Sequence, residues 1–281
     1  MKIMSSYRLT LFHVPRFKHA GRNKIPSGAP DRYEAWTLSQ DDILGTPTDI
    51  DVHPPPNPDL INSENQLLRS FVYHAHAIVR LVLSHLDSHL HLPQGTLASL
   101  QEIDQPSGTS IRLLRYLPQP VGDRRTSLVG HTDIGSLTVL FNVIGGLQVL
   151  PPGCENTEES WLYVKPEPGC ALINMGDAMV EWSGGLLRSD LHRVTYAPGQ
   201  QAESVRYSIA YLVRPQRNVV MRPLEFGDVI PKLEEAEFDR EQLTALEWER
   251  RKSKAIIAGG DIARSKGGNV EQRRYTIRTE V

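Results

Sequence analysis

Cysteine is nearly absent from this chain: Cys154 and Cys170 are the only two in 281 residues. That count excludes a disulfide framework, and neither residue stands in a spacing that holds a metal through thiolates. A charge surplus is missing too. Thirty-one Lys and Arg stand against 33 Asp and Glu, a formal net charge of −2, which gives no ground for expecting nucleic acid or an anionic membrane as partner. The clusters Arg124-Arg125, Arg250-Arg251-Lys252 and Arg273-Arg274 therefore read as solvated surface. No apolar run is long enough to span a bilayer, and apart from a proline run there is no repeat or low-complexity tract. Acidic residues are lacking before Asp31, where Lys2, Arg8, Arg16, Lys18, Arg22 and Lys24 are all basic. Transit peptides share that bias, but Pro15, Pro26 and Pro30 interrupt any long amphipathic helix. The expected location is cytoplasmic, with organellar targeting the lesser alternative.

A chain of this length can bury one substantial core, so one domain with appendages is expected rather than two. From Gly108 to about Arg214, runs rich in Val, Ile, Leu and Thr alternate with turns such as Gly145-Gly146, Pro151-Pro-Gly153 and Pro198-Gly199. Many short strands at this spacing predict a sandwich or barrel. Upstream, the Pro-rich linker Val52–Pro58 suits neither helix nor central strand. A long helix follows, with Asn62 or Ser63 as cap and Leu67, Leu68, Phe71, Val72, Ala75, Ile78, Val79, Val82, Leu83 and Leu86 on a broad apolar face, ending before Pro93. His74, His76, His85, His89 and His91 read as exposed, because His85 and His89 could meet on one face but have no third donor. One further helix, from about Asp239 to Ile256, is expected in the charged tail as a lid or a brace.

The most informative residues are His131-Thr-Asp133, then His192, then Arg206-Tyr-Ser208. Two imidazoles and one carboxylate are the donors that hold a non-haem Fe(II) while leaving positions open. Positions two apart share one face of a strand, so His131 and Asp133 are expected to project together, as are Arg206 and Ser208. A guanidinium fork suits a carboxylate, and a neighbouring hydroxyl adds a third bond. Alone, each motif carries little in a chain with ten histidines; their joint order on strand-like segments carries much more. Alternation from Arg206 also puts Ala210 and Leu212 on the inward face, which makes Leu212 a candidate substrate wall.

Here the chain resembles the isopenicillin N synthase-like branch of the Fe(II)/2-oxoglutarate-dependent dioxygenases. Arg112-Leu-Leu-Arg-Tyr-Leu-Pro-Gln-Pro120 is similar to that family's R-x-N-x-Y-P-P-x-P strand, with Leu114 where the family has asparagine. Gly130–Leu140, Gly145–Val149, Trp161–Val164, Ala171–Asp177 and Leu191–Val194 resemble its further blocks in order. The resemblance implies a mainly β fold with flanking helices around a double-stranded β-helix, or jelly-roll, core. It divides the chain into a partial N-terminal region with linker and long helix (1–107), the jelly-roll core (108–215) and a helical tail (216–281). It implies iron on His131, Asp133 and His192, the distal carboxylate of 2-oxoglutarate on Arg206 and Ser208, and Tyr116 near the C1 carboxylate. The cofactors expected are Fe(II), 2-oxoglutarate as cosubstrate and O2, and the scarcity of cysteine fits a reducing compartment that would keep iron ferrous. Asp133 argues against a halogenase, in which chloride replaces the carboxylate.

The resemblance further implies hydroxylation, desaturation or ring closure of a small molecule of specialised metabolism, with release of succinate and CO2. Three alternatives stay open at this point: a keto-acid-independent Fe(II) oxidase of the same fold, a shortened non-catalytic paralogue, and a cupin-like hydrolase or isomerase with another metal, which would not need Arg206 and Ser208. Pro30–Leu44 resembles a block that family members carry after an N-terminal region of strand and helices, which this chain starts too late to contain. It reads as a natural short form or as a start placed downstream of the true one. Apolar surface left by that region would be a place for a second copy of the chain to pack. The partners expected are a small-molecule substrate and, as a candidate, this homo-oligomer, with no nucleic acid and no membrane.

Overall fold

Strand alternation divides the chemistry of this protein from its packing. The computed structural model describes residues 16–25, 27–48, 56–226, 228–231, 242–257 and 265–268. Lys2, Arg8, Arg273-Arg274 and the linker's Val52–Pro55 lie outside them. In β3 (Ser110–Tyr116) Ile111 and Leu113 join the main core, while Leu114 and Tyr116 join a second cluster on the opposite face. In β11 (Arg206–Leu212) Tyr211 belongs to the first cluster and Ala210 to the second. The period of two thus builds two distinct surfaces from single strands.

Two antiparallel sheets carry this pattern and form the jelly roll. The larger runs β1 (Phe17–Lys18), β2 (Tyr33–Ser39), β3, β11, β5 (Leu137–Asn142), β8 (Leu172–Met175). The smaller runs β4 (Leu128–His131), β10 (His192–Val194), β6 (Leu147–Val149), β7 (Leu162–Tyr163). Leu114 and Ala210 of the large sheet meet Leu147 and Val194 of the small one in the second cluster, so part of the space between the sheets is apolar. The large sheet extends across residue 107, because β2 pairs with β3 along its whole length from Tyr33↔Tyr116 to Ser39↔Ser110. Sequence reading assigned no strand to Tyr33–Ser39. The segment does alternate, with Ala35 and Leu38 buried on opposite faces, but partners that lie so far along the chain leave no local signal.

Behind the large sheet lies α3 (Asn65–His89). Val72, Val79 and Leu83 are fully buried against Ile111, Val139 and Tyr211, each worth about 1.5–3 kcal/mol of transfer free energy. The expected caps do not form. Asn62 and Ser63 end a separate short helix, α2 (Asp59–Ser63), and Glu64 precedes α3 with no side-chain cap bond. The stop before Pro93 is found, with Leu90 as C-cap. There the buried Asp87 carboxylate accepts from the amides of Gly95 (2.8 Å) and Leu97 (3.0 Å), fixing the turn into α4 (Thr96–Ser99).

Two expectations about side chains and one about a helix start differ from the structure. His74, His85, His89 and His91 are exposed, but His76 is buried, with Nδ1 3.3 Å from Tyr211 Oη, which in turn donates to Gln40 Oε1 at 2.5 Å. A sequence pattern cannot separate an apolar stripe from a stripe holding one satisfied imidazole. The tail helix, α6 (Ala245–Ile257), begins later than expected, behind a capping box in which Thr244 and Glu247 bond reciprocally. Lys252 is not solvated surface: it is paired with Asp177 at 2.9 Å. Among the described residues no helix is long and apolar enough to cross a membrane.

Burial, and secondarily the charge of Arg80, hold the His76 imidazole down at about 4. Its folded value is below its unfolded one, so its stabilising share is full above pH 6.5 and is lost as pH falls toward 4. The expected outcome is that wild type loses more melting temperature than His76→Leu between pH 7 and pH 4.5. Equal losses would remove His76 from this linkage.

Candidate active site

The loop after β4 is bolted down by its backbone. Asp133 O accepts from Asp177 N (2.7 Å), Gly135 O from Ala178 N (3.0 Å) and Ser136 O from Gly176 N (2.8 Å), while Ser136 N donates to Val213 O (2.9 Å). These bonds tie the loop to the start of α5 (Asp177–Trp182) and to the end of β11. Such closeness needs glycine. A Cβ at Gly135 would lie 2.0 Å from Val213 O, and one at Gly176 would lie 2.2 Å from Gly135 O. Asp133 thus leaves the strand that was expected to carry it, since β4 ends at His131. The two side chains still converge, because the loop and not the pleat aims the carboxylate.

His192 opens β10 and lies directly across the antiparallel ladder from His131. Asp133 Oδ1 is 4.0 Å from His131 Nε2 and 3.9 Å from His192 Nε2, and one donor atom from each residue falls within 4.8 Å of the others. Both Nδ1 atoms are occupied by main-chain carbonyls, Val129 O at 2.9 Å and Asp190 O at 3.1 Å, which selects the tautomer that leaves Nε2 with a free lone pair. Asp133 Oδ2 accepts from Thr138 Oγ1 (2.7 Å) and Asn174 Nδ2 (2.8 Å), leaving Oδ1 for the cavity. Burial acts to raise the Asp133 carboxyl, but His192, His131 and these two hydrogen bonds outweigh it and hold it at about 2. Burial and the neighbouring His192 push His131 down to about 4. At neutral pH the carboxylate is ionised and the His131 imidazole uncharged, the states a metal needs. Two imidazoles and a carboxylate, each offering one inward atom, suit a six-coordinate Fe(II) with positions to spare.

Arg206 is buried on the inner face of β11. Its Nε donates to the carbonyls of Ile144 (3.2 Å) and Gly145 (3.0 Å), and its Nη1 to Ser208 Oγ (3.1 Å). The Tyr116 ring lies 4.7 Å from its Cζ. Among the described residues Nη2 is buried without a hydrogen-bond partner, while the nearby Tyr116 favours the guanidinium's charge. An orphaned guanidinium N–H beside a cavity is costly unless an anion completes it, so the residues present fit a carboxylate ligand here.

All seven residues singled out from the sequence, His131, Asp133, His192, Arg206, Ser208, Tyr116 and Leu212, line one cavity of about 530 Å³ between the sheets. Leu114 is in its wall too, where the family strand carries asparagine, and makes that stretch apolar. Sequence reading gave no role to Thr138 or Asn174, which hold Asp133. Register explains both: Thr138 pairs with Asn174 across β5 and β8, and Asn174 falls inside a block already quoted as a motif, Ala171–Asp177. It also missed the tail's contribution. Asp177 Oδ2 accepts from Lys252 Nζ (2.9 Å) and Lys266 Nζ (2.5 Å), and Lys266 Nζ also donates to Thr132 Oγ1 (3.2 Å), between two of the metal-site residues.

Comparison with known proteins points to one family. The profile of the 2OG-Fe(II) oxygenase superfamily matches residues 108–215. A 2-oxoglutarate-dependent dioxygenase of Aspergillus fumigatus is 31% identical over 240 residues, covering 80% of this chain and 61% of that one. The 2-oxoglutarate-dependent dioxygenase iboH of Amanita muscaria is 37% identical over 208 residues, covering 72% of this chain and 97% of that one. The chain thus spans about three fifths of the first relative and nearly all of the second. A full-length Neurospora crassa protein crystallised with alpha-KG shares the fold, with a TM-score of 0.67 at 22% identity, over 85% of this chain and 74% of that one.

If Thr138 and Asn174 aim Asp133, then Thr138→Val and Asn174→Ala each weaken binding of a divalent metal by about 10–100-fold. Anaerobic titration with Co(II) measures this, with His131→Ala as the variant expected to lose the site. Unchanged affinity in both single variants would show that the loop backbone alone aims the carboxylate.

Proposed function

Because the chain belongs to the 2OG-Fe(II) oxygenase superfamily, we propose that it is an Fe(II)- and 2-oxoglutarate-dependent dioxygenase that oxidises a small organic molecule of specialised metabolism by hydroxylation, desaturation or ring closure. One observation carries the reading: three inward metal donors and the unpartnered Nη2 of Arg206 open on the same cavity. His131, Asp133 and His192 would hold the iron, and Arg206 with Ser208 would hold the distal carboxylate of the cosubstrate. When bound, Fe(II) with 2-oxoglutarate and O2 supplies oxidative decarboxylation to succinate and CO2 together with oxidation of an unactivated C–H bond.

The chain's own work is positioning and exclusion. The carbonyls of Ile144 and Gly145 fix the guanidinium through Nε, so that its outer nitrogens point one way. Ser208 adds a hydroxyl beside it, and the buried Tyr116 closes the remaining side. A carboxylate bound there would exchange water for charge-assisted bonds in a dry setting. Leu114, Leu140 and Leu212 keep the intervening wall apolar, which limits water near the reacting centre.

Anaerobic addition of Fe(II) and 2-oxoglutarate is expected to give the visible metal-to-ligand charge-transfer band. His131→Ala should abolish it, and Arg206→Ala should raise the 2-oxoglutarate concentration needed by roughly 100-fold, the scale for removing one partner of a buried charge pair. Folded protein that binds iron without a band, and turns over without forming succinate, would replace this reading with a keto-acid-independent oxidase.

A further inference from the structure

One cation of the cavity has no use in the reading above. Arg112 stands in the middle of β3 and reaches the cavity wall beside His131 and Asp133. Its neighbours in the sheet are Thr37 on β2 and Ala210 on β11, neither of which can balance a charge. Among the described residues it forms no hydrogen bond and no ion pair, and the acids in reach are committed elsewhere. Asp133 is held by Thr138 and Asn174 and faces both imidazoles, Asp42 pairs with Arg16, and Glu249 pairs with Arg214. Burial and then Arg214 work against its charge, and Tyr33, Asp133 and Tyr116 offset them only in part. Arg112 is half-buried and lines the cavity with no side chain to balance its charge, which leaves the guanidinium open to an anion.

That anion differs from the cosubstrate's distal carboxylate. Arg112 pairs with Ala210, four residues along β11 from Arg206, which separates the two positions by about 13 Å at roughly 3.3 Å per residue. Between and around them the wall is apolar, built from Leu114, Leu128, Leu140, Val194 and Leu212. We propose that Arg112 is the specificity residue of this cavity and that the substrate is an apolar small molecule bearing one carboxylate, which pairs with the Arg112 guanidinium. The inference rests on the dioxygenase reading, since it takes Arg206 as already engaged. A single cation in an otherwise apolar wall suits a singly charged acid.

The test uses matched pairs that differ only in charge, 3-phenylpropanoate with its primary amide and octanoate with its primary amide. Each is titrated calorimetrically into the chain loaded anaerobically with Fe(II) and 2-oxoglutarate. At least one acid is expected to bind about tenfold or more tightly than its own amide, the scale of one charge-assisted hydrogen bond. In Arg112→Gln acid and amide should agree within about twofold, and Arg112→Lys should keep part of the preference, with circular dichroism verifying the fold of both variants. The proposal is overturned if neither acid is preferred by the wild type, or if the preference survives in Arg112→Gln. A charge-transfer band that is lost in Arg112→Gln would equally overturn it, by assigning Arg112 to the cosubstrate. Wild type that gives no band but shows an Arg112-dependent acid preference would sink the dioxygenase reading and leave the anion site standing.

Discussion

Asp133 divides its carboxylate between the fold and the cavity: Oδ2 is consumed by Thr138 and Asn174, and Oδ1 is left facing two imidazoles. The rest of the site is arranged so that this division can hold. An ionised carboxylate at such depth is stabilised by the hydrogen bonds from Thr138 and Asn174 on one side, and on the other it faces the two imidazoles. Its backbone is immobilised by the close approach of the loop to Gly176 and Asp177, which no side chain larger than glycine at 135 or 176 would allow. The placement of the Asp133 carboxylate is therefore set in part by main-chain packing several bonds away from its oxygens.

The same loop is where the tail meets the core. Asp177, whose amide caps the Asp133 carbonyl, takes Lys252 from α6 and Lys266 from β12 (Lys266–Gly267) on its side chain. Trp248 of α6 is buried in the main core, and Glu249 pairs with Arg214 just past the end of β11. These contacts make the helix a brace and not a lid. Residues more than a hundred positions downstream of Asp133 thus hold the far side of its loop.

How far all this could be read from the sequence depends on the range of each interaction. The period of two exposed Arg206, Ser208 and Leu212 as one inward row, and the register of β11 bears this out. His131 and Asp133 came out together for a partly different reason, a glycine-dependent loop in place of a continuing strand. Strand β2 went unseen because its partner is more than seventy residues away. His76 went unseen because its partner, Tyr211, lies across the sheet interface on the far side of the chain. Arg112 was quoted within a motif but carried no visible role, since an absent counter-ion is a property of space and leaves no mark on the order of residues.

Strand alternation also separates two kinds of evolutionary change. In β3 and β11 the outward set, Ile111 and Tyr211 among them, answers to α3, and the inward set, Leu114, Ala210 and Leu212, answers to whatever occupies the cavity. A substitution in the inward set alters shape and polarity where a ligand binds while leaving the helix-facing layer in contact. Selection can therefore retune what the cavity accepts one alternate position at a time, and the stability threshold set by the other face need not be crossed on the way.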